Sequence, residues 1–338
     1  MGFVGMVTDT DSTMTDSLES GDLSTTAEKV RLPHDQSGML WFEDQPTALF
    51  LQSIDRWTRT LLEDDGFVPV GASKLTVRAR VVAKEAGTLC GVHVINRLLD
   101  VYLPHINRAW QAREGGHFQS GDVILILDGT PRDILSVERI ILNFLGRLSG
   151  ISTLTEKWTK GLSGMKVAST RKTSWGLLDK WAVHVGGGLT HRLRKGDAVM
   201  IKENDLASMH EDMDTHAERL VTFLQHVDPG GVGAFLEVET RNEKEAIMAA
   251  MVWSQRREQE GLDRLVVMLD NFTPEQCKAV SEQMDDQGVR EHVVLEASGG
   301  IVFDDLKSWH ECGLDVVSTS VINRGVAPLD MSMLVKGL

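Results

Sequence analysis

The sequence predicts an α/β protein built from two parts, a short block of mixed elements followed by a longer block of alternating strands and helices. In the longer block, short apolar runs recur, and helical segments lie between several of them. This alternation predicts a parallel sheet, because parallel neighbours need a crossover connection that is usually a helix. In the shorter block, strands and helices follow one another less regularly, which is typical of an α+β domain.

Four elements are predicted in the first block. Ala48–Leu62 carries apolar residues on one helical face, and Val92–Leu103 has the pattern of a helix that ends at Pro104. Leu75–Ala83 alternates between apolar and polar residues like a half-buried strand, and Val123–Leu127 is a second strand.

Two segments flank the first block. Ser136–Leu148 is predicted to be a helix that links the two blocks, with Ser136 as its N-cap. At the other end, residues 1–40 are polar and lack an apolar period, so they are predicted to form a weakly ordered extension.

The second block is predicted to contain six strands. They are Met165–Ala168, Ala198–Ile201, Ala234–Val238, Leu265–Leu269, Val293–Leu295 and Val316–Val317. Helical segments are predicted between several of them, at Asn242–Trp253, Pro274–Met284 and Asp304–Cys312. Six units are fewer than the eight of a complete barrel, so the pattern favours a smaller or open barrel or a doubly wound sheet.

Composition excludes several classes of function. The net charge of −14 disfavours general nucleic-acid binding, which requires basic surface stripes. There is no apolar run of the ~18 residues that a membrane span needs, and residues 1–22 lack the basic start and apolar core of a secretory signal. Cys90, Cys277 and Cys312 are far apart and form no CxxC pair, which indicates reduced thiols and a cytoplasmic protein without structural zinc.

Polar and charged residues follow each predicted strand of the second block. They are Ser169–Lys172, Lys202–Asn204, Glu237, Glu239, Asp270–Asn271, Ser298–Gly300 and Ser318–Ser320. Ligands of parallel α/β folds bind at the carboxyl ends of the strands, so these side chains are predicted to converge on one active site.

The charged candidates have complementary chemistry. Five cations cluster in sequence within this acidic chain: Arg171, Lys172, His191, Arg192 and Lys202. Partly buried cations without internal partners require an anionic ligand. Glu239 and Asp270 suit a divalent metal or sugar hydroxyls, and the small residues Ser298–Gly300 suit a phosphate. Together they favour an anionic acid bound beside a phosphorylated sugar and a metal.

Several motifs make the sequence recognisable. They are LNFLGRLSGI at 142–151, TRKT at 170–173, the spacing of GGG, HR and IK between 186 and 202, LEVET at 236–240, MLDNF at 268–272 and LEASGGI at 295–301. In this order, from about residue 48 to 332, the chain resembles the quinolinate phosphoribosyltransferases, or carboxylating nicotinate-nucleotide pyrophosphorylases.

The resemblance implies a fold and a reaction. The expected fold is an N-terminal α/β sandwich with a linking helix over residues 41–150, followed by an open, incomplete α/β barrel over 151–338, in a homodimer. The implied reaction joins quinolinate to phosphoribosyl pyrophosphate (PRPP) with Mg²⁺, and it yields nicotinate mononucleotide, CO₂ and pyrophosphate.

The resemblance also implies roles for individual residues. Quinolinate would be bound by Arg171, His191, Arg192 and Lys202, together with Arg139 from the neighbouring subunit. PRPP would be bound by Lys172, Glu239, Asp270, Ser298, Gly299, Ser320 and Arg324. Within that set, Lys172, Glu239 and Asp270 would be catalytic, and Glu239 and Asp270 would hold the metal.

This sequence departs from the family pattern at five positions. Trp175 stands where proline is usual, and Glu203 and Asp205 replace an aspartate and a histidine. Ser320 and Arg324 replace a glycine and a histidine near the last strand. Arg324 can supply a phosphate ligand, whereas Ser320 adds bulk at a position where glycine would let the backbone approach the ligand.

Three other functions remain open at this stage. A paralogue that uses another acid, such as nicotinate or the substrate of the molybdate-associated branch, would be expected to lose at least one of the cations. A non-catalytic binding protein is favoured by Ser320 and Arg324, but it would not need the set of Lys172, Glu239 and Asp270. A Schiff-base aldolase would use Lys172 or Lys202 as its nucleophile.

Overall fold

The structure is a computed structural model that describes residues 32–68, 75–209 and 215–336. Residues 1–31 of the predicted N-terminal extension lie outside this part of the chain. In the described residues, no helix is both long enough and apolar enough to cross a membrane.

The second block forms a parallel six-stranded sheet within the described residues, as the apolar runs predict. Its strands in chain order are β8 (Lys166–Ser169), β9 (Val199–Ile201), β10 (Leu236–Thr240), β11 (Leu265–Asp270), β12 (Val293–Ser298) and β13 (Val316–Thr319). In space the order is β8-β13-β12-β11-β10-β9, so β8 and β9 are the two edges and the barrel is open between them. Leu189 makes a short parallel bridge to Ala168 of β8 inside this gap.

Helices cover the outside of this sheet. They are α4 (Leu177–Val185), α5 (Glu203–Met209), α6 (His216–His226), α7 (Glu243–Glu260) and α8 (Pro274–Asp286). Asn242 and Thr273 cap α7 and α8 with their side chains. The predicted helical segment Asp304–Cys312 is helical over Phe303–Trp309, where it forms a 3₁₀-helix.

The first block is an α/β sandwich, so the fold class is confirmed in both parts. Its elements are β1 (Trp41–Phe42), β2 (Gln45–Pro46), α1 (Ala48–Asp64), β3 (Val77–Ala83), β4 (Gly87–Thr88), α2 (Val92–Tyr102), β5 (Asn107–Trp110), β6 (His117–Phe118), β7 (Val123–Gly129) and α3 (Pro131–Gly161), with β14 (Met331–Lys336) from the end of the chain. The main sheet has the order β14-β3-β7-β5. Residues 331–336, predicted to belong to the barrel block, therefore pair with β3 of the first block.

The linking helix α3 is longer than the sequence predicts. Its N-cap is Thr130, whose hydroxyl accepts from the Asp133 amide at 3.2 Å, and Pro131 occupies the first turn, where a missing N–H is harmless. The prediction of Ser136 as N-cap is wrong, because Ser136 lies one turn inside the helix and its hydroxyl donates to the Asp133 carbonyl.

Residues 32–40 form a strap, hereafter the N-terminal strap, that packs against the barrel. The prediction of weak order over 1–40 is wrong for this part, since His34 and Leu40 are fully buried. Leu32 packs on a cluster of buried apolar side chains that includes Phe235 and Val294. Because the strap lies beside residues 190–191, it covers the region between the sheet edges β8 and β9.

Candidate active site

A cavity of about 680 Å³ lies at the carboxyl ends of the barrel strands. All five predicted cations line it: Arg171, Lys172, His191, Arg192 and Lys202. Asp270, Ser298, Gly299 and Ser320 line it as well. The sequence therefore predicted correctly that residues from distant strands meet at one place.

The loop after β8, which carries Arg171 and Lys172, is anchored by Asp179 of α4. This buried carboxylate accepts the backbone N–H groups of Ser174 at 2.8 Å and Trp175 at 3.2 Å. It also forms a two-bond ion pair with Arg147 of α3, with N–O distances of 2.8 and 3.0 Å. The loop is thus tied to both the barrel helix α4 and the linking helix.

Lys180 links the segment that carries Arg171 and Lys172 to the segment that carries His191 and Arg192. Its buried Nζ donates to the carbonyl and hydroxyl of Ser169, both at 2.9 Å, and to the carbonyl of Thr190 at 2.6 Å. Burial lowers the pKa of Lys180 to about 7, with a further contribution from Arg171 and Arg192. Because Ser169 precedes Arg171 by two residues and Thr190 precedes His191 by one, this side chain fixes the spacing between the two segments.

His191 occupies an unusual backbone conformation beneath the cavity. Its φ is +52°, which costs free energy for a residue with a side chain, and its Nδ1 lies 2.8 Å from the backbone N of Arg192. Its Nε2 lies 3.3 Å from Glu296 and 3.5 Å from Glu237, both fully buried. Burial lowers the pKa of His191, but the two carboxylates outweigh that effect and raise it to about 9.

Arg192 points a buried guanidinium along the cavity wall. Nη1 donates to the Ala198 carbonyl at 3.3 Å, and Nη2 contacts the sulfur of Met200 at 2.9 Å. Its Nε has no hydrogen-bond partner among the described residues. Because an unpaired buried donor is costly, this group favours an anionic ligand in the cavity.

Lys202 is held by an acidic partner at the other edge of the sheet. Its Nζ pairs with the Glu239 carboxylate on β10, and Glu239 is not among the residues that line the cavity. The backbone N–H of Lys202 donates to the Asp205 carboxylate at 3.0 Å. Asp205, one of the departures from the family pattern, therefore holds the backbone of Lys202. Glu203, the neighbouring departure, pairs with Arg241 away from the cavity.

The strand ends opposite the cations are shaped by backbone and small side chains. Asn271 has a φ of +59°, and its amide group donates to Asp270 at 2.8 Å, which orients that carboxylate. Gly299 has a φ of +101°, and a Cβ there would clash with the Asn271 side chain. Only glycine fits this turn, which leaves backbone groups facing the cavity beside Ser298.

Three predicted residues do not line the cavity: Glu239, whose pairing with Lys202 is described above, Arg324 and Arg139. Arg324 is exposed and does not line the cavity, although its N–H donates to the Ser320 carbonyl at 2.6 Å. Arg139 lines a separate pocket of about 440 Å³ with Trp175 and Arg147, whose guanidinium lies 5.2 Å from the Trp175 ring centroid. The motif departure Trp175 is therefore an aromatic wall of this second pocket.

Sequence reasoning missed four buried residues that contact the cationic segments or their partners: His34, Asp179, Lys180 and Glu296. Asp179 and Lys180 lie in the middle of a helix, and Glu296 is inside an apolar strand, so their local patterns are those of ordinary structural residues. A buried charge inside an apolar run was the available signal for Glu296, since such charges are buried only with a partner.

Glu239 and Asp270 could hold a divalent metal. They lie at the carboxyl ends of the paired strands β10 and β11. The donors are carboxylate oxygens, and Mg²⁺ is typically held by one or two carboxylates together with substrate phosphates. Of the two, Asp270 lines the cavity, whereas Glu239 is paired with Lys202, so Mg²⁺ bound with a phosphorylated ligand would be held by Asp270, and by Glu239 only if that pair opens.

An open parallel α/β barrel with a cationic cavity, carboxylates and a glycine turn at its strand ends defines a class of proteins that bind anionic, phosphorylated ligands. Comparison with protein families specifies this class further. Residues 57–149 match the N-terminal domain and residues 151–334 the C-terminal domain of the quinolinate phosphoribosyl transferase family. The chain belongs to this family.

Individual relatives agree with the family match. The chain is 34% identical, over 81% of its length and 96% of the relative's, to a probable carboxylating nicotinate-nucleotide pyrophosphorylase of Methanothermobacter thermautotrophicus. It is 30% identical to the corresponding enzyme of Mycobacterium leprae, over 79% of this chain and 88% of that one. The solved nicotinate-nucleotide pyrophosphorylase of Francisella tularensis superposes with a TM-score of 0.70 at 29% identity, over 85% of this chain and 97% of that one.

Proposed function

We propose that this chain transfers the phosphoribosyl group of PRPP to quinolinate and releases CO₂, which yields nicotinate mononucleotide and pyrophosphate for NAD biosynthesis. The observation that carries this proposal is the convergence of five cationic side chains, a carboxylate and a glycine turn on one cavity. Relatives that match nearly their whole length carry the name of this carboxylating reaction.

The two halves of the cavity suit the two substrates. The acid side consists of Arg171, His191, Arg192 and Lys202, and the phosphate side consists of Lys172, Asp270, Ser298, Gly299 and Ser320. Quinolinate carries two carboxylates, and bidentate guanidinium groups are the strongest ligands for such groups in proteins. Several fixed cations orient the ring so that its nitrogen faces the phosphate side.

Group transfer requires stabilisation of charge rather than a protein nucleophile. As the bond between C1 of the ribose and pyrophosphate breaks, positive charge develops on the ribose, and the carboxylate of Asp270, which lines the cavity, favours it. Lys172 neutralises the leaving pyrophosphate, and a Mg²⁺ ion bound with PRPP would supply further neutralisation. The ring nitrogen forms the new bond to C1 while pyrophosphate takes the electron pair of the old one.

Decarboxylation follows from the charge created on the ring. Once the nitrogen is bonded to ribose, the ring is cationic, and the carbanion left by loss of the adjacent carboxylate is stabilised. That carbon takes up a proton, so quinolinate loses CO₂ and nicotinate mononucleotide remains. The cations of the acid side hold the other carboxylate in place, which directs the loss to the carboxylate beside the nitrogen.

An assay with PRPP and Mg²⁺ tests the proposal, with quinolinate and nicotinate compared as acceptors. The product is identified by mass, and CO₂ release is followed in parallel. We expect nicotinate mononucleotide and CO₂ from quinolinate only. Turnover of nicotinate without CO₂ would instead identify a paralogue, and binding of quinolinate without turnover would identify a binding protein that kept the fold.

We further propose a homodimer in which Arg139 completes the partner's acid side. In support, Arg139 lies in a separate pocket of its own chain, where Trp175 and Arg147 form the wall. At equal mixing about half of the dimers are mixed, and one of the two sites in each of these carries neither substitution. Inactive Arg139→Ala and Arg171→Ala variants should therefore regain up to about a quarter of wild-type activity. Mixed dimers verified by mass that remain inactive would contradict a shared site.

A further inference from the structure

The N-terminal strap holds the backbone of His191. The carbonyl of His34 accepts the His191 N–H at 2.7 Å and the Thr190 hydroxyl at 3.3 Å, and the Thr190 hydroxyl accepts the Gln36 N–H at 2.8 Å. These bonds brace a residue whose φ of +52° is costly. The strap precedes the segment that matches the family, which begins at residue 57.

The side chain of His34 reaches further, into the interior of the barrel. Its ring is fully buried between His191 and Phe235, with ring centroids 5.0 and 5.2 Å away. Its Nε2 lies 2.7 Å from Oε2 of Glu296 on β12. This oxygen is the one that also faces His191, at 3.3 Å.

The distances show which histidine holds Glu296. A contact of 2.7 Å is a strong hydrogen bond to a carboxylate, whereas 3.3 and 3.5 Å from His191 to Glu296 and Glu237 are longer than normal for such bonds. The ligand atoms of His34, His191 and Glu296 lie within 4.8 Å of one another. However, a separation of 2.7 Å is shorter than the ~3.3 Å between ligands of tetrahedral zinc, so a hydrogen bond explains the contact better.

We infer that His34 is a positioning residue of the quinolinate site, which occupies Glu296 and so keeps this carboxylate from capturing His191. The inference rests on the proposed function for the identity of the ligand. Without the His34 donor, Glu296 would form a shorter hydrogen bond with Nε2 of His191. The imidazole would then be held towards the barrel interior and would no longer bind a ligand on the acid side of the cavity.

The charged surroundings give the sign of a measurable effect. His191 faces Glu237 from β10, Glu296 from β12 and His34 from the strap, and Arg192 interacts with both carboxylates. Glu237 and Glu296 already raise the pKa of His191. Removal of a donor from Glu296 leaves its charge less compensated, so the pKa of His191 rises further, whether His34 is neutral or charged.

The test compares three variants of the full chain. His34→Phe keeps an aromatic ring but removes the donor, and His34→Gln can place an amide N–H near the position of Nε2. We expect His34→Phe to weaken quinolinate binding by about tenfold in calorimetry and to leave the KM for PRPP unchanged. His34→Gln should restore most of the affinity. Leu32→Ala is the matched control, because it loosens strap packing without touching Glu296, and it should lower Tm without changing quinolinate affinity.

A second readout separates positioning from packing. In histidine-labelled protein, the NMR titration of His191, assigned by its absence in His191→Gln, should move to higher pH in His34→Phe and not in His34→Gln. Unchanged affinity and titration in His34→Phe, or equal effects of Leu32→Ala, would overturn the inference. If His34→Phe does not fold, the wild-type spectrum decides: His34 must carry its proton on Nε2, and an unprotonated Nε2 overturns the inference.

Failure of the proposed function would look different. In that case wild-type protein would not convert quinolinate, whereas the titration of His191 would still respond to His34→Phe. An active wild-type enzyme with an unresponsive His191 would instead refute the role of His34 alone.

Discussion

The two sides of the cavity are built on different principles. On the acid side, the segments that carry the cations are held by buried charged groups: Asp179 holds the loop after Arg171, Lys180 holds residues 169 and 190, and Glu296 faces His191. On the phosphate side, shape comes from backbone, as at Gly299, and from short side chains near the surface. The comparison teaches that charged recognition of the acid depends on a deep support, whereas phosphate recognition depends on the local turn.

This contrast bears on two of the five departures from the family pattern. Ser320 and Arg324 fall on or beside the phosphate side, where a change affects one turn. The cations of the acid side are all present, and the two buried ones, His191 and Arg192, contact groups in the interior. Loss of either would leave a carboxylate or carbonyl without that contact, which is costly.

The largest expected effect comes from Arg171→Ala. It removes a cation of the acid side without disturbing the buried support, so kcat/KM for quinolinate should fall by about 100-fold or more, the scale of losing one fixed charge at a reacting group. Steady-state kinetics with quinolinate varied at saturating PRPP measures this. Arg59→Ala on the surface of α1 is the control and should be neutral; a loss below threefold for Arg171→Ala would refute its assignment to the acid side.

Gly299→Ala should impair the phosphate side and spare the acid side, which is the reverse of Arg171→Ala. A Cβ at this φ of +101° meets the side chain of Asn271, so the turn must shift. We expect the KM for PRPP to rise about tenfold while quinolinate affinity stays near wild type. Gly261 at the end of α7 also has a positive φ but open space around it, so Gly261→Ala should cost about 1 kcal/mol of stability and leave both substrates unaffected. Equal kinetics for the two variants would show that strain, not the cavity, is responsible.

The buried support should reveal itself in the pH dependence of stability. The pKa of Lys180 is lowered from 10.5 to about 7 by burial, so its contribution to the free energy of unfolding increases as pH rises through this range. The pKa of His191 is raised from 6.5 to about 9 despite burial, by Glu237 and Glu296, so its contribution is present below 6.5 and is lost as pH rises through 9.

The two contributions oppose each other between pH 7 and 9, which defines the measurement. Relative to wild type, Lys180→Met should lose stability increasingly as pH rises, and His191→Gln should lose it increasingly as pH falls. Urea unfolding at several pH values gives these difference curves, in which unchanged groups cancel. Difference curves that slope in the same direction for both variants would contradict the opposite pKa shifts of Lys180 and His191.

The smallest effect is expected for Arg324→Ala. Its side chain is exposed and outside the described cavity lining, so the KM for PRPP should change by less than about threefold, and any effect should vanish at high salt. A tenfold rise in this KM would show that Arg324 moves onto the phosphate side when PRPP binds.

Most of the fold follows from local pattern. The six strands could be predicted because apolar runs between helices imply a buried parallel sheet, and the cations because they follow those strands. The start of α3 was missed because Thr130-Pro131 precedes the periodic segment, and Ser136 imitates a cap. His34 could not be found this way, since its burial depends on Glu296, 262 residues away, and nothing in the polar sequence around it indicates that contact.

The 31-residue helix α3 has a consequence for how this molecule can change. The end of the first family domain and the start of the second, residues 149 and 151, both fall inside it. Because each residue of an α-helix turns the chain by about 100°, a single insertion at this boundary would rotate every later side chain of the helix away from its partners. The continuous helix therefore fixes the rotation of each domain about the helix axis. Insertions and deletions should be tolerated in the loops of the two domains but not at the junction itself.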